Sequence, residues 1–199
     1  MPTLTFKKLP QEKKERILKA LIKEFSRVPF NEASIAKIII DADIPRGSFY
    51  QYFKDKEDAF FYILEFHSTD IKKYLLNVLI KNKGEMIKSF IELYKYILEK
   101  ITKEENEVYF KNIFLNMNFA VEKMFSLNLE DNLNAVINLI NIDNINISSK
   151  LQLIYIIDII EAIMFRNLIQ SYKRSVSKEK NIEIFLKEIS FLEKGIYKK

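Results

Sequence analysis

The order of apolar and polar positions reads as a series of amphipathic helices. Over residues 11–27, Ile17, Leu18, Leu21, Ile22 and Phe25 return at three- and four-residue steps while Lys and Glu fill the other face. Pro29 ends this helix. A second helix is predicted over 35–42, with Ile35, Ile38 and Ile39 as its buried stripe and Ser34 as its N-cap, the hydroxyl accepting from a free N–H of the first turn. The break at Ala42-Asp43-Ile44 suits a left-handed residue, which Asp tolerates better than most. Pro45 then stands at a helix start, where its missing N–H is no loss.

A short third helix is expected over 46–53. A long fourth opens near Asp55 and extends as far as Leu79, its faces marked by Phe60, Ile63, Leu64, Phe66, Ile71, Tyr74, Leu75 and Val78. Gly84 breaks the chain. Further helices are predicted over 85–101, 105–125, 130–140, 150–173 and 180–196, the fourth of these capped by Ser148 or Ser149. The expectation is all-α, about nine helices, with no internal repeat. The Asn-rich stretch 138–146 reads as a helix end and loop.

Composition agrees. Among 199 residues there are 3 Gly and 4 Pro, too few for the tight turns a sheet protein needs, and 48 % are apolar, ordinary for a folded chain. There is no Cys and a single His, His67, so disulfides, thiolate metal sites, Cys nucleophiles and two-imidazole sites within one chain are excluded. No carboxylates form a metal-ligand pattern such as Glu-x-x-His. No enzyme activity, metal or cofactor is expected. No stretch approaches the roughly 18–20 apolar residues that span a bilayer, and the N-terminal residues turn polar too early for a signal peptide. A soluble cytoplasmic protein with no membrane partner is the expectation.

Net charge is +5, and its placement matters more than its size. Residues 1–56 carry 12 Lys/Arg and 7 Asp/Glu; residues 57–199 carry 20 of each. A basic N-terminal piece on a neutral body fits phosphate binding at one end; drift in a Lys-, Asn- and Ile-rich composition is the plain alternative.

Residues 34–53 form one object: two short helices joined by a tight turn, with a helix before them to pack on both. That is the helix-turn-helix plan, whose second helix enters the major groove. Ile35, Ile38, Ile39, Ile44, Phe49 and Phe53 can face inward. Arg46, Ser48, Tyr50, Gln51 and Tyr52 remain for the outside. Arg46 suits a guanine edge and Gln51 an adenine; Ser48, Tyr50 and Tyr52 suit phosphate contacts, which hold register without reading sequence. Lys54 and Lys56 precede the fourth helix, whose N-terminus also favours phosphate. Gly47 costs about 1 kcal/mol relative to Ala in a helix, so close approach of helix 2 or of the DNA backbone is expected there, chance being the bland alternative.

The run Ile44-Pro-Arg-Gly-Ser-Phe-Tyr-Gln-Tyr-Phe-Lys-Asp-Lys-Glu57 resembles the signature of the tetracycline-repressor (TetR/AcrR) family, and the motif likeness covers about residues 17–61. The resemblance implies a homodimer with an N-terminal DNA-reading domain and a C-terminal ligand-sensing domain, divided here as 1–56 and 57–199. By position, Ser34 looks like a phosphate contact, Arg46, Ser48, Tyr50, Gln51 and Tyr52 like recognition-helix contacts, and Lys56 like the lysine that grips the backbone. Three positions depart from the pattern. Asp43 stands where Gly is usual, Pro45 replaces a Ser-type cap, and Ala36 stands where some relatives are basic.

The helix over 150–173 is apolar nearly all round, which calls for cover on every side. A two-fold four-helix interface built with the helix over 180–196 is the expected cover, and the resemblance implies the same. Aromatic residues crowd the helices between. Phe66, His67, Phe90, Tyr94, Phe110, Phe114, Met117, Glu161 and Phe165 are the candidate lining of a pocket for a small apolar ligand, ordinary core being the alternative. The expected function is a homodimeric transcriptional repressor on a palindromic double-stranded operator, its two recognition helices about 34–36 Å apart. A ligand that shifts helix 4 would release it. A helical interaction protein that no longer reads DNA is the competing class.

Overall fold

The computed structural model describes residues 2–115 and 130–196. Among these the fold is all-α: ten α-helices and one short 3-10 turn. They are α1 (Leu4–Lys7), α2 (Gln11–Arg27), α3 (Ile35–Asp41), α4 (Arg46–Tyr52), α5 (Lys56–Lys81), α6 (Met86–Ile101), α7 (Glu104–Leu115), α8 (Glu130–Leu139), α9 (Lys150–Arg174) and α10 (Lys178–Ile196), with the 3-10 turn at Phe30–Glu32. The long helices lie where hydrophobic periodicity puts them. The part of the helix expected over 116–125 lies outside the described residues, as does Met117.

The one-turn helix α1 escaped the sequence reading, because four residues are too short to show a period. Thr3 caps it, the hydroxyl accepting from the Phe6 N–H at 3.3 Å, and Phe6 is buried. The 3-10 turn was missed for the same reason.

The described residues fall into two compact units. The first holds the chain through Ser68 and resumes at Glu104; the second holds Thr69–Lys103 and the C-terminal helices, so α5 contributes to both. In the first, α2 packs against α3 and α7. Arg16 Nε donates to the Ala42 carbonyl at 2.9 Å, closing the end of α3, and Asn112 Nδ2 of α7 donates to the Ser26 carbonyl at 2.7 Å. Two aromatic groups fill the interior. Phe6 meets Phe53 and Tyr62 at 5.0 and 5.1 Å between centroids, and Phe25 meets Phe60 at 5.1 Å.

The second unit is held by α6, α9 and α10. The Tyr94 ring lies tilted against Phe185 at 3.9 Å between centroids, and its hydroxyl donates to Asn181 Oδ1. Asn181 Nδ2 donates to the Asn167 carbonyl at 3.0 Å, and Asn167 Nδ2 reaches Glu188 at 2.7 Å. Glu188 also pairs with Arg166. Burial pushes the Tyr94 phenol well above its ordinary value, so it stays a donor. Beside them Tyr74 and Tyr96 stack in parallel at 3.8 Å. Burial, then the Asp70 carboxylate that accepts from its hydroxyl at 2.6 Å, raises Tyr96 to about 12. Gly84 has φ +81°, and a Cβ there would lie 2.5 Å from the Asn141 nitrogen, so that turn requires glycine.

α9 has a dry face and a wet one. Leu153, Ile157, Ile160, Met164 and Leu168 are buried, whereas Leu151, Tyr155 and Ile159, four residues apart, are exposed at 53, 55 and 46 %. On α10, Phe185 and Ile189 are buried and Leu186 and Phe191 exposed.

Candidate nucleic-acid interface

Between α3 and α4 the chain turns in four residues. Asp43 takes φ +48°, the left-handed region that Asp tolerates. Its N–H donates to the Ile40 carbonyl at 3.1 Å and the Ile44 N–H to Ile39 at 3.1 Å, so Asp serves where Gly is usual. Pro45 then takes the N-cap position of α4. Ile38, Ile44, Phe49 and Phe53 face inward as the pattern requires. Ile35 and Ile39 are only half-buried.

Ile35 and Ile39 instead floor a groove of about 350 Å3, lined also by Ala33, Ser34, Ala36, Arg46, Tyr50 and Lys56. Four of the residues expected at DNA thus surround one concavity: a hydroxyl, a guanidinium, a phenol and an ammonium over an apolar floor. Their roles differ in part from expectation. Ser34 holds the N-cap position, but its hydroxyl makes no capping bond; its N–H donates to a Glu24 oxygen at 2.8 Å. The Glu24 carboxylate thus holds the Ser34 backbone, and Ser34 lines the groove with its hydroxyl outside any capping bond. Lys56 Nζ donates to the carbonyls of Asn31 (3.1 Å) and Ala33 (2.9 Å) and lies 4.8 Å from the centre of the Phe30 ring. It first fastens the turn before α3. An ammonium has three N–H donors, so one remains for an anion.

Arg46, Gly47, Gln51 and Lys54 are exposed, Ser48 half-buried and Tyr50 exposed. The Lys54 backbone N–H donates to Asp58 at 3.1 Å, which leaves its side chain free of that cap. Tyr52 corrects the sequence reading. Expected on the outer face, it is buried, with its ring edge-on to Phe6 at 5.9 Å, because α1 covers that side of α4. Gly47 is decided in part. A Cβ there would meet nothing within 4 Å, so close approach of the preceding helix is not what requires glycine.

Glu24 is the groove-supporting residue that sequence reasoning missed. It is 2 % exposed. Arg27 donates two bonds to it, at 2.8 and 2.7 Å. That pairing, against the opposing cost of burial and with help from the Ser34 N–H, holds the carboxyl below its usual range. An acidic residue on the buried stripe of α2, three before an arginine, was the available signal.

The candidate ligand-lining residues divide between the units. In the first, the His67 ring lies 5.1 Å from Phe110 and 5.4 Å from Tyr109, and Phe114 stacks on Phe110 at 6.2 Å. Phe66, next to His67, is half out in solvent. In the second, Phe90, Tyr94 and Glu161 are buried and Phe165 is half-buried. Tyr94 is already engaged by Asn181 and Phe185.

A three-helix unit with a tight turn, presenting cations and hydroxyls around its last helix, is a helix-turn-helix of the DNA-binding class. Residues 17–63 match the bacterial regulatory proteins of the tetR family, and residues 85–196 match a tetracyclin repressor-like C-terminal domain. The chain belongs to the tetR family of transcriptional regulators. It is 29 % identical over 113 residues to the HTH-type transcriptional regulator AcrR of Shigella flexneri, a match covering 56 % of this chain and 53 % of that protein, so the chain spans about half the length of this curated relative. Two solved structures share the fold. A transcriptional regulator from Pseudomonas aeruginosa PAO1 has a TM-score of 0.65 at 11 % identity, covering 96 % of both chains. The regulator FadR of Bacillus subtilis, in complex with stearoyl-CoA, has a TM-score of 0.60 at 12 % identity, covering 89 % of this chain and 96 % of that one. No described helix is long and apolar enough to cross a membrane.

Proposed function

We propose that the protein is a homodimeric repressor that binds a palindromic double-stranded operator and is released by a small, largely apolar ligand. The observation that carries this reading is the groove around Ser34, Arg46, Tyr50 and Lys56. Its cationic and hydroxyl donors converge where an anionic ester fits, and Arg46, Ser48 and Gln51 remain on α4 for base edges and backbone. The open space at Gly47 suits a DNA backbone passing close. In this reading residues 1–56 read DNA and residues 57–199 sense and dimerise, in the cytoplasm.

Dimerisation is supported by the exposed stripe Leu151, Tyr155 and Ile159 on α9, with Leu186 and Phe191 on α10. A second copy is the natural cover for such faces in this family. The ligand reading is supported by the aromatic grouping of His67, Tyr109, Phe110 and Phe114 and by the fold's likeness to a regulator bound to stearoyl-CoA, a thioester with a long apolar chain. Because α5 belongs to both units, a ligand that favours one placement of α5 would change the spacing of the two recognition helices.

The test is selection of duplexes from a randomised double-stranded pool by the full chain, followed by binding at several salt concentrations. Enrichment of an inverted repeat and a steep fall in affinity with salt are expected. Equal binding to selected and scrambled duplexes, or no binding, would sink the proposal and favour an interaction protein.

A further inference from the structure

The reading helix is held from its far end. The last carbonyls of a helix have no donor within it, and α4 has only two turns, so its final turn is prone to fray. Three groups from the segment before α2 close that end. The Thr3 N–H donates to the Tyr52 carbonyl at 3.0 Å. The Thr3 hydroxyl donates to the Gln51 carbonyl at 2.6 Å. The Phe6 ring, 1 % exposed, is enclosed by Tyr52, Phe53 and Tyr62. Lys13 adds its ammonium 5.8 Å from the centre of the Tyr52 ring.

Thr3 thus links two helices through one oxygen. The hydroxyl accepts from the Phe6 N–H to start α1 and donates to Gln51 to finish α4. Neither Thr3 nor Phe6 lines the groove of Ser34, Arg46, Tyr50 and Lys56. The bond to the Gln51 carbonyl falls instead on the backbone of a residue whose exposed side chain is one of the candidate base contacts. Hydrogen bonds to base edges weaken steeply with misalignment, so the angle at which this last turn is held matters more for a specific site than for a generic phosphate.

We propose that Thr3 and Phe6 are positioning residues for sequence-specific DNA reading: α1 clamps the C-terminal turn of α4, and with it Gln51, in the orientation that base contact requires. The inference rests on the DNA-reading function proposed above. It assigns a role to a segment that precedes the matched helix-turn-helix region at residues 17–63.

The test uses the full chain, a duplex enriched by the wild type from a randomised pool, and a scrambled duplex of equal length, all at one salt concentration. Thr3→Val removes both bonds of the hydroxyl. Affinity of this variant for the enriched duplex should fall about fivefold, the effect of losing the one ordinary hydrogen bond of the hydroxyl that reaches α4, while affinity for the scrambled duplex stays within about twofold. Thr3→Ser, which keeps the hydroxyl, should restore wild-type binding. Phe6→Leu keeps the site filled where Phe6→Ala risks unfolding, and should lower enriched-duplex affinity about tenfold, equivalent to about 1.4 kcal/mol. Circular dichroism establishes that each variant is folded at the assay temperature. A parallel loss on both duplexes, which is what general destabilisation gives, overturns the proposal, as does unchanged affinity in Thr3→Val and Phe6→Leu. If the wild type enriches no sequence, the DNA-reading function itself fails, a result visible before any variant is measured.

Discussion

Both units bury an apolar core, and they differ in the polar groups set beside it and in what each leaves outside. In the first, aromatic rings fill the interior and the polar groups of α3, α4 and α5 stand around an open groove. In the second, a chain of polar groups from Tyr94 through Asn181 and Asn167 to Glu188 runs between α6, α9 and α10, while apolar residues stand outside on the same helices. Buried polar groups add little net stability, but each must find its partner. Asn167 and Asn181 therefore limit how α9 can lie against α10. The exposed stripe of Leu151, Tyr155 and Ile159 is then presented by a pair of helices in fixed register, as a self-complementary interface needs. The first unit leaves cationic and hydroxyl groups around its groove, and the second leaves an apolar stripe outside, which in the proposed reading meet DNA and a second copy.

The strongest way to break this comparison is to charge the outer stripe. Tyr155→Glu combined with Ile159→Glu should raise the dimer dissociation constant by about 100-fold or more, since like charges without partners would be buried at the interface. Both positions are exposed in the single chain, so its own secondary structure should survive. Sedimentation across a concentration series is the measurement, and an unchanged dimer would place the interface elsewhere.

Next in size is the buried polar chain. Asn181→Leu leaves the Tyr94 hydroxyl without its acceptor, at about 2 kcal/mol, or about 4–8 °C in Tm for a chain of this length. Adding Tyr94→Phe should recover part of that loss, because it removes the buried hydroxyl that Asn181→Leu leaves without an acceptor. A double variant worse than the single one would show that packing, not the hydrogen bond, held the site.

Glu24→Gln sharpens the first unit. The folded-state pKa of Glu24 is lowered, so its contribution is present above the unfolded value, near 4.5, and is lost as pH falls through the folded value. The variant should melt about 2–4 °C below wild type at neutral pH, as a loss of about 1 kcal/mol would give. The gap should close in acid. A gap that persists well below pH 4 would assign the loss to shape rather than charge.

The smallest effect carries opposite signs in two assays. Gly47→Ala meets no atom within 4 Å, so the free protein should gain up to about 1 kcal/mol of helix stability. If glycine is there for a close DNA backbone, affinity for the enriched duplex should fall in the same variant. Improved binding would show that Gly47 has no role at the interface.

Much of the fold was legible from the sequence. The long helices announce themselves by repeated apolar steps, and the short pair α3–α4 by Ser34, Asp43, Pro45 and a dense motif. Asp43 could be assigned its left-handed conformation from local preference alone. Tyr52 could not be placed, because its exposure depends on α1, a segment too short to show a period. Ser34 was read correctly in position but not in bonding. Its hydroxyl makes no capping bond, and its own N–H finds Glu24, ten residues away in sequence, a partner no local rule sees.

What the sequence determined by itself is therefore what local physics decides: helix spans, the turn, the absence of thiol or imidazole-pair chemistry, and the set of polar residues offered by α4. Only the tertiary structure decided which of them face a common groove, that Lys56 fastens the turn at Asn31 and Ala33, and that α9 is buried on one side and bare on the other. Those outcomes depend on contacts between residues far apart in the chain, whose free energy exists only once the helices have packed.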